Sequence, residues 1–97
     1  MEFIVSSKYL AKVLSRIDFE SDVVDKISYD VLTSVLKITT NHTHVEFKVT
    51  MLDRPVITEL NQSNRRWDWL RKLCMSVEEQ PIVIRASEST LNITFQY

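Results

Sequence analysis

Ser7-Lys-Tyr-Leu-Ala-Lys-Val-Leu-Ser-Arg-Ile17 is the stretch on which the fold of this chain turns. At about 100° per residue, Tyr9, Leu10, Val13, Leu14 and Ile17 fall within one arc, which predicts a helix over 7–17 with that face packed on a sheet. Lys8, Lys12 and Arg16 follow at i, i+4 and i+8 and form a row of cations on the opposite side. Like charges at this spacing repel by ~0.2–0.5 kcal/mol per pair, and no Asp or Glu stands between Ser7 and Ile17 to offset them. Two readings stay open: a solvated face that happens to be basic, or a surface shaped for an anion.

Outward from this helix, Glu2 to Ser6 reads as a short strand leading into Ser7 as the helix N-cap. Asp18, Glu20, Ser21 and Asp22 supply an acidic loop that ends the helix. Three strands follow. Val23 to Val31 places Val23, Ile27, Tyr29 and Val31 on one face, and Leu32, Thr33 and Ser34 turn the chain. Val35 to Thr40 carries Leu36 and Ile38 inward with Lys37 outward. Asn41 and His42 connect tightly to Thr43–Met51, where Val45, Phe47, Val49 and Met51 alternate with polar residues. Short connections make an antiparallel meander the natural topology.

Asp53 to Ser63 reads as a linker containing Pro55, with a short strand at Val56 to Thr58. A second helix is expected from Asn64 to Glu79, with Trp67, Leu70, Leu73, Cys74 and Val77 on the packing arc and Pro81 as the stop. Ile82 to Ala86 and Thr90 to Phe95 form a hairpin across Ser87-Glu88-Ser89, with Ile82, Ile84, Leu91, Ile93 and Phe95 inward. The predicted class is α+β, in the order β-α-β-β-β-α-β-β: an antiparallel sheet with two helices on one face.

Length and composition narrow the function. The 97 residues are read as one domain, 1–97, long enough to bury roughly two-thirds of the unfolded chain's surface. A net charge of -1 means that attraction to nucleic acid must come from charge arrangement, not from an overall excess. Cys74, the single cysteine, cannot form an internal disulfide and reads as a small core residue in a reducing compartment, the cytoplasm. The N-terminal stretch has no long apolar run, so neither a signal peptide nor a membrane span is expected. With no glycine anywhere, turns must rely on Asn, Asp and Ser, and a Gly-rich phosphate loop is excluded.

Catalytic and metal chemistry find little footing. His42 and His44, at i and i+2, could share a strand face and bind a metal, but no Cys and few carboxylates stand nearby to complete a site. Asp22, Asp25 and Asp30 are spaced along a strand and its approach, and without a Gly turn they do not form a calcium loop. A Ser-His-Asp nucleophile needs a strained turn the sequence does not offer, and Cys74 as a nucleophile would need exposure and a basic neighbour. Trp67 sits at core spacing, whereas Trp69 flanks the basic face, where it could stack on bases. No catalytic residue, metal or cofactor is expected, and the chain is read as a non-enzyme.

Charge arrangement says more than net charge. Seven of the twelve Lys and Arg residues lie in the two predicted helices: Lys8, Lys12, Arg16, Arg65, Arg66, Arg71 and Lys72. Asp68 is the acid inside them, with Glu78 and Glu79 at the end of the second. Helices on one face would make that face positive and the remainder negative. Clustered cations on a phosphate backbone gain affinity mainly by counterion release and read no sequence. With about five contacts, binding would weaken roughly 500-fold between about 50 and 200 mM salt.

Three stretches carry a family resemblance. Met-Glu-Phe-Ile-Val-Ser-Ser-Lys-Tyr-Leu-Ala-Lys-Val-Leu at the start resembles the opening of the first domain of the bacterial DNA sliding clamp (processivity clamp). Val35-Leu-Lys-Ile-Thr-Thr-Asn-His-Thr-His-Val-Glu-Phe-Lys-Val49 is similar to that domain's strand, tight turn and strand. Asn64-Arg-Arg-Trp-Asp-Trp-Leu-Arg-Lys-Leu-Cys74, with Pro81 to Arg85 and Thr90 to Thr94, resembles its second helix and hairpin. The resemblance covers nearly the whole chain and rests on patterns. It implies one clamp repeat, whose helices would line a ring and face the DNA backbone through Lys8, Lys12, Arg16, Arg65, Arg71 and Lys72. A clamp ring holds six repeats, so one repeat implies self-association, for which exposed sheet edges are suited, or a larger partner. The family's peptide pocket between domains has no counterpart here, so docking of polymerases and loaders is not carried over.

Two functional classes follow. One is a sequence-independent duplex-DNA-associating protein, acting as an oligomer or accessory in replication or repair. The other is a protein–protein interaction module or replication inhibitor that keeps the fold without binding DNA, with replication proteins as partners.

Overall fold

The alternating apolar residues of the N-terminal half build most of the strands. The structure is a computed structural model and describes residues 1–53, 58–59, 64–87 and 90–95, with the side chains of residues 58, 59, 64 and 65 outside the description. In chain order it contains β1 (Glu2–Ser6), α1 (Ser7–Leu14), β2 (Val24–Asp30), β3 (Val35–Thr40), β4 (His44–Lys48) and β5 (Thr50–Met51). These are followed by β6 (Thr58–Glu59), α2 (Asn64–Ser76), β7 (Pro81–Ala86) and β8 (Leu91–Phe95). The class is α+β, with two helices and antiparallel strands. Of the expected linker strand, Pro55 and Val56 lie outside the described residues, as do Glu88 and Ser89 of the final turn.

The expected single layer is corrected: the strands form two four-stranded sheets, β5-β1-β7-β8 and β4-β3-β2-β6. The meander β2-β3-β4 and the hairpin β7-β8 pair as their short connections predict. What local pattern could not announce is that β1 pairs antiparallel with β7, from Glu2 opposite Arg85 to Ser6 opposite Pro81. Met1 and Ala86 extend that ladder, each nitrogen donating to the other's carbonyl at 2.8 Å. Pro81 takes the first position of its strand, where a missing N–H costs the ladder least. The long alternation ending at Met51 is also divided. It pairs with β3 as far as Lys48, breaks at Val49, and resumes as β5 on the other side of β1. One run of sequence thus crosses from one sheet to the other.

One contiguous core joins both sheets and both helices. It takes Phe3 and Val5 from β1, Leu10, Val13 and Leu14 from α1, and Trp67, Leu70 and Cys74 from α2. The inner faces of β2, β3, β4 and β7 add Ile27, Leu36, Ile38, Val45, Phe47, Ile82 and Ile84. Leu91, Ile93 and Phe95 pack against it from β8, as their alternation predicts. Phe47 meets Phe3 edge-on at 6.5 Å between ring centroids and Tyr9 at 6.2 Å, the T-shaped geometry that aromatic quadrupoles favour.

Three expected faces shift for identifiable reasons. In β2 the buried valine is Val24, while Val23 and Val31 are 55% and 65% exposed. Val24 opposes Thr40 and Lys26 opposes Thr39, so Asp25 is an extra residue in a bulge. That insertion lets Val24 and Ile27, three apart, face the same side. Helix α1 stops at Leu14, where Arg16 and Ile17 donate to the carbonyls of Val13 and Leu14 at 3.1 Å. These tight i→i−3 bonds still turn Ile17 into the core, whereas Tyr9 is 42% exposed. Helix α2 ends at Ser76, short of the expected Glu79.

Ser6, not Ser7, is the N-cap, and its hydroxyl does not cap the helix. Ser7 is fully buried. Its N–H donates to the Gln80 carbonyl at 2.9 Å, its hydroxyl donates to the Glu78 carbonyl at 3.2 Å, and that oxygen accepts the Gln80 N–H at 3.1 Å. One orphan donor of the α1 start, the Ser7 N–H, is thus satisfied from the loop before β7.

Side-chain oxygens close the glycine-free turns. Asp18 Oδ1 accepts the Glu20 N–H at 3.1 Å, and Asp30 Oδ1 accepts the Leu32 N–H at 2.9 Å. Thr40 Oγ1 accepts from the N–H groups of His42 and Thr43 at 3.2 and 2.9 Å. Ser34 carries the strain of lacking glycine, with φ of 59°. A non-glycine residue in that region meets a clash between Cβ and the following carbonyl. Ser34→Gly is expected to raise stability by ~0.5–1 kcal/mol, the relieved strain exceeding the added freedom of the unfolded chain. A higher urea midpoint at unchanged slope checks it; a lower one would mean that Ser34 is unstrained. Among the described residues, no helix is long and apolar enough to cross a membrane.

Candidate nucleic-acid interface

The buried arcs of α1 and α2 dictate which side chains remain outside, and the helix contacts decide how those sides meet. Lys8 at the start of α1 reaches Met75 at the end of α2, while Ser15 and Ile17, beyond the end of α1, line a cleft with Asp68, Arg71 and Lys72 further back along α2. The helices therefore lie side by side and antiparallel. Ala11 is buried on the flank of α1 that carries Lys8 and Ser15, and its small side chain permits the close approach.

The sequence-predicted cations meet different fates. Lys12 and Arg16 are exposed, and among the described residues neither has a hydrogen-bond or ion-pair partner. Lys8 is exposed, but its Nζ donates to the Met75 carbonyl at 2.9 Å. A cation there satisfies an orphan carbonyl and complements the negative end of the α2 dipole. Arg65 belongs to α2, and its side chain lies outside the described residues. Arg71 and Lys72 both turn to Asp68. Arg71 places Nε at 3.1 Å and Nη2 at 2.7 Å from Asp68 Oδ1, and Lys72 Nζ stands 3.2 Å from Oδ2. These two cations hold the Asp68 carboxyl below its ordinary range, the Arg71 hydrogen bonds contributing most and Lys72 next.

The sequence names Asp68 as the acid inside the helices, but its pairing with Arg71 and Lys72 was not foreseen. Its spacing was the available signal, since Arg71 and Lys72 follow at i+3 and i+4, the positions at which helical side chains touch. The trio carries one negative and two positive charges, so a surplus of one positive charge remains. Beside it, the cleft of about 440 Å³ is also lined by Asp18, Phe19 and Glu20. The basic strip is thus bounded by carboxylates at the α1 C-terminal end.

The tryptophans separate cleanly: Trp67 is 1% exposed and Trp69 49%. The histidines do not converge. His42 Nδ1 lies 2.9 Å from Asp22 Oδ1, and His44 Nε2 lies 3.6 Å from Glu46 Oε1. Cys74 is buried among the core residues, and burial pushes its thiol up to about 11, partly offset by Lys8. Strand β8 is an edge of its sheet, and Leu91–Phe95 contains no charged residue. Compared with protein-family models, with curated proteins and with solved structures, the chain matches none.

Proposed function

We propose that this chain is a non-catalytic, clamp-like protein that associates with duplex DNA without reading its sequence, acting as an oligomer or accessory in DNA replication or repair. Exposed Lys12 and Arg16, unpartnered among the described residues on an antiparallel helix pair, carry this reading. An opening strand and helix, the β2-β3-β4 meander and, after the short β5 and β6, a second helix followed by a hairpin support the likeness to a clamp repeat, although β5 and β6 are additional to the expected order. The uncharged β8 edge suits pairing with another copy, because unpaired edge N–H and C=O groups recruit strands unless charge or proline blocks them. A buried, unpaired Cys74 suits the cytoplasm.

The side-chain pairing changes the expected salt dependence. With Lys12, Arg16 and the surplus charge beside Asp68, about three phosphate contacts replace five, and binding should weaken roughly 40-fold from about 50 to 200 mM salt. Fluorescence anisotropy with a mixed-sequence duplex tests this, alongside the double substitution Lys12→Glu and Arg16→Glu, which is expected to abolish binding. Absence of binding at the lower salt would sink the reading.

A specific observation favours the second reading, an interaction module without DNA binding: Asp68 occupies two of the predicted cations. A monomer in solution that ignores duplex DNA would select it.

A further inference from the structure

We infer that Asp68 is an internal competitor for phosphate, holding the donors of Arg71 and Lys72 while the helix face is empty and yielding them when a polyanion arrives. This rests on the proposed DNA-facing role of the same surface and concerns how its grip is regulated.

The geometry is that of an occupied anion site. Arg71 aims Nε and Nη2 at one carboxylate oxygen, at 3.1 and 2.7 Å, and Lys72 covers the other at 3.2 Å. A guanidinium edge and an ammonium converging on one acidic group would receive a phosphate equally well. The remaining guanidinium nitrogen, Nη1, rests 3.5 Å from the Met75 sulfur, a weak acceptor that gives it up readily. The adjoining cleft, about 440 Å³, leaves room for approach between Ser15 and Phe19.

Magnitudes decide whether Asp68 blocks the site or tunes it. The Lys72 side chain is 69% exposed, and a pair this wet is worth no more than about a fivefold preference, whereas Arg71 and Asp68, 24% and 28% exposed, hold each other more firmly while still open to solvent. Releasing counterions at one phosphate contributes about eightfold at 0.1 M salt. A polyanion therefore wins, but each contact won here is discounted by the one broken. Asp68 thus keeps the α2 half of the face weaker than its cation count implies.

The test is a double-mutant cycle on the full chain, read by duplex anisotropy across a salt series. Asp68→Asn is expected to tighten binding on the order of tenfold and to steepen the salt slope by about one to two phosphates' worth. Arg71→Gln with Lys72→Gln should cost about eightfold alone, the one surplus contact, and on the order of sixtyfold in the Asp68→Asn background, where both cations are free. Equal costs in both backgrounds, or an unchanged affinity on Asp68→Asn, would overturn the competitor role while leaving the DNA reading intact. No binding by either the native chain or Asp68→Asn would overturn the DNA reading and this inference with it.

Discussion

Trp67→Ala is expected to remove ~3–5 kcal/mol of stability, the range for deleting a large buried aromatic without full collapse of the cavity. Domains hold about 5–15 kcal/mol in total, so the loss is a large share of that stability. Trp67 is among the largest fully buried side chains and shares its helical face with Leu70 and Cys74. Among the described residues its indole Nε1 has no hydrogen-bond partner, and burying it so costs free energy that a purely apolar ring would not incur. Trp67→Phe should therefore cost much less than Trp67→Ala. Trp69→Ala, at a half-exposed position, should stay within about 0.5 kcal/mol. Urea unfolding of the three variants checks the ranking, and a loss below about 1 kcal/mol for Trp67→Ala would contradict its place in the core.

Cys74 is expected to react with iodoacetamide at least about a hundredfold more slowly in the native protein than in the urea-unfolded chain at about pH 8. Desolvation lifts the thiol from 9.0 to about 11, reducing the reactive thiolate, and burial removes access as well. The same shift sets a pH dependence. Between 9.0 and about 11 the unfolded state loses the proton that the native state retains, so it binds fewer protons and native stability falls as pH rises. The stabilisation is fully present below 9.0 and lost as pH passes about 11. Comparison with Cys74→Ala isolates it from the lysines and tyrosines that titrate in the same range. Equal alkylation rates in native and unfolded protein would show an accessible thiol.

Several features were legible because they are local. Leu10, Val13, Leu14 and Ile17 were assigned to a buried arc from spacing alone, and all four are buried. Strand β3 matches its expected bounds, since alternation with a turn at each end leaves little freedom. Tyr9 was misjudged because periodicity gives direction and not depth: it lies at the arc's edge, partly covered by Phe47. In β2, Ile27 and Tyr29 face the core as expected, but Val23 does not, because a bulge resets alternation before Lys26 and no residue type there announces one, and Val31 lies beyond the strand's end. The candidate surface was legible as a cation count but not as a set of available cations. Lys8 is engaged by a carbonyl of the other helix, an interaction between residues 67 apart in sequence.

The sequence alone determined the α+β class, the faces of most elements and the concentration of Lys and Arg in two helices, because each follows from side-chain types at fixed spacing within one element. Tertiary structure decided that β1 closes against β7, that β4 and β5 belong to different sheets, and that the helices run antiparallel with Lys8 on the end of α2. A residue's periodicity records which way its own backbone turns it. Its partner depends on where the remote chain comes to rest, which only the packing of the whole core determines.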